Sequence, residues 1–139
     1  MAARRDLFHD AVRNALLKDG WDITDDPLHL SVGEVDLYVD IGAEKMFAAE
    51  KEERKIAVEI KSFTSPSLVA DFHLAVGQFL NYRLALEDQM PERVLFLAIS
   101  LDVYESFFTR KLAQRAIERY EIRLLVFDSV DEEIVRWIS

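Results

Sequence analysis

Lys55-Ile-Ala-Val-Glu-Ile-Lys-Ser-Phe63 is the stretch that most restricts what this chain can become. Side chains alternate across a strand with period two, so Ile56, Val58 and Ile60 share one face, and Ala57, Glu59 and Lys61 share the other. A carboxylate and an ammonium therefore stand side by side on a β-branched strand. Charges on such a strand must pair or bind an ion. Upstream, Val35-Asp-Leu-Tyr-Val-Asp40 is a second apolar run with two carboxylates, Asp36 and Asp40. An Asp on one strand and Glu-x-Lys on the next make a D…ExK constellation. Its carboxylates suit a hard, oxygen-preferring cation such as Mg²⁺ or Mn²⁺. The lysine is suited to orienting water or steadying a phosphate, so the set fits metal-assisted phosphodiester hydrolysis. Glu-x-Lys is also a common string, and the bland alternative is a solvated salt bridge on a strand edge.

The remaining elements follow from periodicity and punctuation. Arg4 to Lys18 reads as a helix with Leu7, Phe8, Ala11, Val12, Ala15 and Leu16 on one face and Gly20 as its stop. His9 and Asp10 flank that stripe and are expected as solvated, Asp10 being the one that could reach the edge of a metal site. Trp21–Thr24 and Leu28–Val32 read as short strands. Val35–Ile41 and Glu44–Lys51 follow, with Gly42 marking a bend or bulge, then Glu52–Arg54 as a polar turn. The unit Val35–Phe63 is thus a long bent hairpin that carries Asp40 towards Glu59. Asp36 competes for the same place; Asp40 is preferred because it sits where the strand nears its bend. Glu44 and Glu50 are expected on a solvent-facing edge beside Lys45 or Lys51.

Ser65 or Ser67 caps the main helix, Leu68–Leu86, with Pro66 tolerated in its first turn. Gly77 in its middle points to close helix–sheet packing. Gln78 and Tyr82 share a flank, and Gln78 can reach Glu59 and Lys61 because this helix follows their strand directly. Arg93–Ser100 is a continuous apolar run, read as a buried strand parallel to its neighbour. Tyr104–Tyr120 is expected as one helix. Its Lys111, Arg115 and Arg119 recur every four residues, diluted by Glu118 and Glu121, and are expected to form a salt-bridged solvated face rather than a phosphate contact. Ile122–Phe127 and Glu133–Ile138 close the chain as a hairpin. The whole reads as one α/β domain over residues 1–139, a mixed β-sheet flanked by helices.

Composition narrows the function. The net charge of −9 argues against a freestanding high-affinity DNA binder, so strong DNA binding would need a partner, a dimer groove or a local basic face. A homodimer is the default oligomer. There is no cysteine, hence no disulfide framework or thiolate site. No apolar run is long enough to span a bilayer, and a cytoplasmic location without membrane association is expected.

Asp40…Glu59-Ile60-Lys61, with a helix before and after, resembles the PD-(D/E)xK restriction-endonuclease-like superfamily. Tyr38-Val-Asp-Ile-Gly-Ala-Glu-Lys45, Ile56–Phe63, Gly77-Gln-Phe-Leu-Asn-Tyr-Arg83 and Arg93–Ala98 more specifically resemble the XisH family of cyanobacterial factors that control excision of the fdxN element. The likeness runs from Asp6 to Trp137. It implies a restriction-endonuclease-like fold and a role in programmed DNA rearrangement beside a companion factor, XisI, and a site-specific recombinase. Carried over by position, it makes Asp40 and Glu59 metal ligands, with the Ile60 carbonyl as a third donor, and Lys61 the group that activates water or steadies phosphate. Gln78 and Tyr82 match a Gln-xxx-Tyr feature of some superfamily nucleases. The motif proline is absent: Val39 precedes Asp40 and Val35 precedes Asp36. Two functions follow, a Mg²⁺-dependent endonuclease acting on DNA, or a non-catalytic regulatory protein on the same scaffold that binds the recombinase or companion factor. A plain α/β interaction domain with a structural ExK is the third.

Overall fold

A computed structural model describes residues 6–139. Helix α1 (His9–Lys18) is followed by strands β1 (Asp22–Asp25), β2 (Leu28–Val32), β3 (Val35–Val39), β4 (Ile41–Phe47) and β5 (Glu52–Ile60). Then come α2 (Leu68–Gln89), β6 (Arg93–Ser100), the short α3 (Leu101–Val103), a π-helical turn (Tyr104–Phe108), α4 (Lys111–Tyr120), β7 (Leu124–Asp128) and β8 (Glu133–Ile138). The expected start of the first helix at Arg4 lies outside the described residues.

The main sheet has six strands in the order β1-β4-β5-β6-β7-β8. β5, β6 and β7 run parallel, and the outer pairings are antiparallel. The parallel centre requires crossover helices, which α2 and α4 supply. The alternation read in β5 divides the core. Ile56, Val58 and Ile60 pack with Ala11, Val12 and Leu16 of α1 on one face. Ala57 packs with Phe72, Ala75 and Phe79 of α2 on the other. This is a mixed α/β fold with helices on both faces of the sheet.

Several expectations change in detail. Val35–Phe63 is not one bent hairpin. β3 pairs with β2 in a separate two-stranded sheet, β4 pairs with β5, and the break falls at Asp40. Gly42 is not the bend; it lies within β4 opposite Ala57. A Cβ there would stand 3.1 Å from Asp25 and 3.3 Å from Arg93, so glycine answers a close approach. β4 stops at Phe47, the turn occupies Ala48–Lys51, and Glu52–Arg54, expected as a turn, begin β5. Lys51, at φ 53°, makes the reversal.

Ser67 is the cap of α2, its hydroxyl accepting from the Ala70 amide at 3.1 Å. The single helix expected over Tyr104–Tyr120 is broken. Phe107 and Phe108, both buried, close a π turn, and α4 restarts after Arg110. Gly20, at φ +91°, ends α1 as expected: its amide and that of Trp21 reach back to Leu17 and Leu16 carbonyls.

Gly77 does not serve close packing. It is exposed, and a Cβ there would meet nothing within 4 Å. Gly77→Ala is therefore expected to stabilise the protein by roughly 0.5–1 kcal/mol, the usual helix penalty of glycine relative to alanine. Chemical denaturation should show a raised midpoint at unchanged slope; a lower midpoint would mean that the outer surface of α2 is packed after all.

Candidate functional site

The site forms where the chain crosses between the two core layers. Val39 is fully buried in the α2-side core and Ile41 fully buried in the α1-side core. Asp40, between them, is held at the C-terminal end of β5. Its amide donates to Glu59 Oε1 at 3.3 Å, and its Oδ2 accepts from the Ile60 amide at 2.8 Å. Glu59 is only 9% exposed and lies on the face that carries α2.

These two carboxyls are buried against each other. Burial raises the pKa of Asp40, with hydrogen bonds from the Ile60 amide and Glu59 acting in the opposite direction. Burial and the adjacent Asp40 push Glu59 up to about 9, against the pull of Lys61. A single proton shared between the carboxyls, residing on Glu59, is the cheapest resolution of two buried like charges. Tyr82 of α2 lies within the field of the pair: its phenol is pushed up to about 12 by burial first, then by the charges of Glu59 and Asp40.

Lys61 follows the end of β5, its amide donating to the Ala98 carbonyl at 3.1 Å. Among the described residues its ammonium makes no ion pair, so the reading of Glu-x-Lys as a strand-edge salt bridge does not describe it. Gln78 is half-buried on α2, one turn before Tyr82 on the same flank, with no hydrogen bond to the carboxyls. Asp36 is kept apart. It is exposed on β3 and bonds to His29 at 2.9 Å. Glu44 pairs with Lys55 and Arg93, not with Lys45 or Lys51. Glu50 is exposed in the β4–β5 turn, and Asp10 is exposed on α1.

Two neighbours escaped the sequence reading. His9, expected to be solvated, is 4% exposed, its Nε2 lying 2.7 Å from Asp26 Oδ1; its positive form would favour the Asp40 carboxylate. Its spacing of three and seven residues from Val12 and Leu16 was the available signal. Asp6 binds the Ser62 amide at 3.1 Å through Oδ2 and the Phe8 amide at 2.9 Å through Oδ1, and its charge opposes ionisation of Asp40. No local pattern announces that contact, which spans 56 residues.

The donor set fits a hard cation. Among the described residues, no three Asp, Glu or His side chains converge on one point. Mg²⁺ does not need that: one or two carboxylates commonly hold it, with water and phosphate oxygens completing the shell. A divalent ion would replace the shared proton and offset both the burial that raises the two pKa values and the repulsion that Asp40 exerts on Glu59.

The family model for XisH (XisH protein) matches residues 1–135. The chain is similar to an XisH family protein from Nostoc punctiforme PCC 73102, at 47% identity and a TM-score of 0.87, covering 96% of this chain and 100% of that one. It is equally similar to an fdxN element excision controlling factor protein from Anabaena variabilis, at 46% identity and a TM-score of 0.88, covering 97% and 100%. No curated protein matches the chain.

The raised pKa of Glu59 makes metal-free stability depend on pH. Between about 4.5 and 9 the folded state holds a proton that the unfolded chain has lost, so stability is full below that window and falls as pH rises through it. Glu59→Gln keeps the shape but not the charge. It should be more stable than wild type at pH 8–9, on the order of a few kcal/mol at about 1.4 kcal/mol per pKa unit, and nearly equal at pH 5. Thermal melts of both proteins across this range in chelator decide it; parallel curves would refute the shared proton.

Proposed function

The chain belongs to the XisH family, and from that premise we propose that it is a factor controlling excision of a DNA element, acting as a divalent-metal-dependent, endonuclease-type domain. The carrying observation is the buried Asp40–Glu59 pair with Lys61 beside it, whose ammonium makes no ion pair among the described residues. The Anabaena variabilis relative is an fdxN element excision controlling factor protein, and the same process is the proposed setting here. DNA is the substrate, the companion factor XisI and a site-specific recombinase are the partners, and a homodimer is the expected assembly.

In this reading Asp40, Glu59 and the Ile60 carbonyl hold Mg²⁺ or Mn²⁺, as in PD-(D/E)xK enzymes. The bound ion supplies Lewis acidity towards a phosphate oxygen and acidifies water. The chain's own residues do the rest. The Ile60 amide fixes the Asp40 carboxylate, so one oxygen remains to face the site. Lys61 orients the attacking water or steadies the charge that develops on phosphorus. Tyr82 and Gln78, on one flank of α2, contact the substrate backbone.

One observation favours a non-cutting regulatory role on the same scaffold: the net charge of −9 opposes unaided DNA binding. Purified protein incubated with supercoiled DNA, with Mg²⁺ or Mn²⁺, with and without XisI, separates the two. Cleavage should require metal and fall roughly 10²–10⁴-fold in Lys61→Ala, the range for losing a positioned catalytic group. Glu59→Ala should lose the calorimetric signal of metal binding while remaining folded, and Gln78→Ala should retain that signal while cutting poorly. Intact metal binding without nicking under any condition would establish the regulatory reading.

A further inference from the structure

A second site lies on the opposite flank of α2 from Tyr82. There α2 and α4 bound a groove of about 530 Å³. Phe72 and Ala116 are buried and Val76 is half-buried, so they form an apolar floor. Leu112, Tyr120, His73, Arg115 and Arg119 line the walls and are exposed. Val69, four residues before His73 and 43% exposed, prolongs the apolar track by a turn.

The arginines were expected to belong to a salt-bridged face. They do not. Among the described residues neither Arg115 nor Arg119 makes an ion pair or hydrogen bond. Glu118 and Glu121, which dilute the basic stripe in the sequence, line a different groove with Gln114 and Ile117 on the other side of α4. The α2–α4 groove is therefore cationic within a chain of net charge −9, and it keeps exposed leucine and tyrosine at its mouth.

We propose that this groove docks an acidic amphipathic segment of a protein partner, apolar side chains on the Phe72–Val76–Ala116 floor and carboxylates on Arg115 and Arg119. Helix-in-groove recognition needs an apolar trough between two helices, and guanidinium groups take carboxylates in bidentate fashion. A nucleic acid fits less well. The two arginines are one helical turn apart, about 6 Å, which serves one or two phosphates, too few for a tight hold on a polyanion whose binding rests on many phosphate contacts. The proposal does not depend on nuclease activity, and its test does not read cleavage.

The test uses the full chain and three fluorescent probes: a helical Leu/Glu 14-mer with leucines every three or four residues, its Leu/Lys counterpart, and a 14-nucleotide single-stranded DNA. Anisotropy should show the Leu/Glu peptide binding, the Leu/Lys peptide failing, and affinity falling about tenfold for each of Arg115→Gln and Arg119→Gln, as expected for losing a charge-assisted hydrogen bond. Leu112→Ser should also weaken binding. All three positions are exposed, so unchanged melting temperatures establish that the variants are folded. Absence of Leu/Glu binding, binding indifferent to both arginines, or DNA held more tightly than the peptide through the same arginines would each overturn the proposal.

Discussion

The rest of the site depends on one hydrogen bond, from the Ile60 amide to the Asp40 carboxylate. Val39 and Ile41 are committed to opposite core layers, so the backbone must cross between layers at Asp40. A crossing of this kind leaves polar groups near the interior, where an unmet N–H is costly. The Asp40 side chain answers for Ile60, and Glu59 answers for Asp40. The contacts that latch the small β2–β3 sheet to the main one thus set two carboxyls together. An amide side chain could meet the same geometric need, but not supply the same charge.

The two ends of β5 make the cost visible. At the N-terminal end Arg93 is 7% exposed and faces Asp25 and Glu44 at 3.4 Å, with the Ile56 carbonyl at 2.9 Å. There a buried charge is neutralised and the strands are tied together. At the C-terminal end two acids are buried against each other, with Lys61 acting on Glu59 and His9 on Asp40. Parallel strands conventionally present their ligand sites at the C-terminal end. The aromatic packing beyond it, Phe72 tilted against Phe107 at 5.3 Å and edge-on to Phe108 at 5.6 Å, adds packing that helps the fold offset the cost of burying two acids.

Much of this was legible in advance. The period-two pattern of Lys55–Lys61 placed Glu59 on the α2 face, and the apolar run Val94–Ile99 announced a buried parallel strand. Breakers and caps located α2 and the final hairpin. What failed shares a cause. The split of β3 from β4, the break before α4 and the approach of Asp25 to Gly42 arise from tertiary packing, which local periodicity does not encode. Glu118 and Glu121 seemed to dilute the basic stripe because linear spacing cannot say which groove each side chain lines. The Ser62–Asp6 contact leaves no local trace whatever.

The shared proton also changes how the acidity of the chain is counted. A formal charge of −9 treats Glu59 as ionised, yet a pKa of about 9 keeps it neutral near pH 7. The carboxyl pair then carries one negative charge. A divalent cation that expels the proton turns the locus net neutral if both acids ionise, and Lys61 makes it positive. Metal uptake at this pair would therefore be linked to proton release, and the centre would become more attractive to a phosphodiester after that exchange. Under the metal-dependent reading proposed above, chemistry on the polyanion would therefore belong to the loaded state.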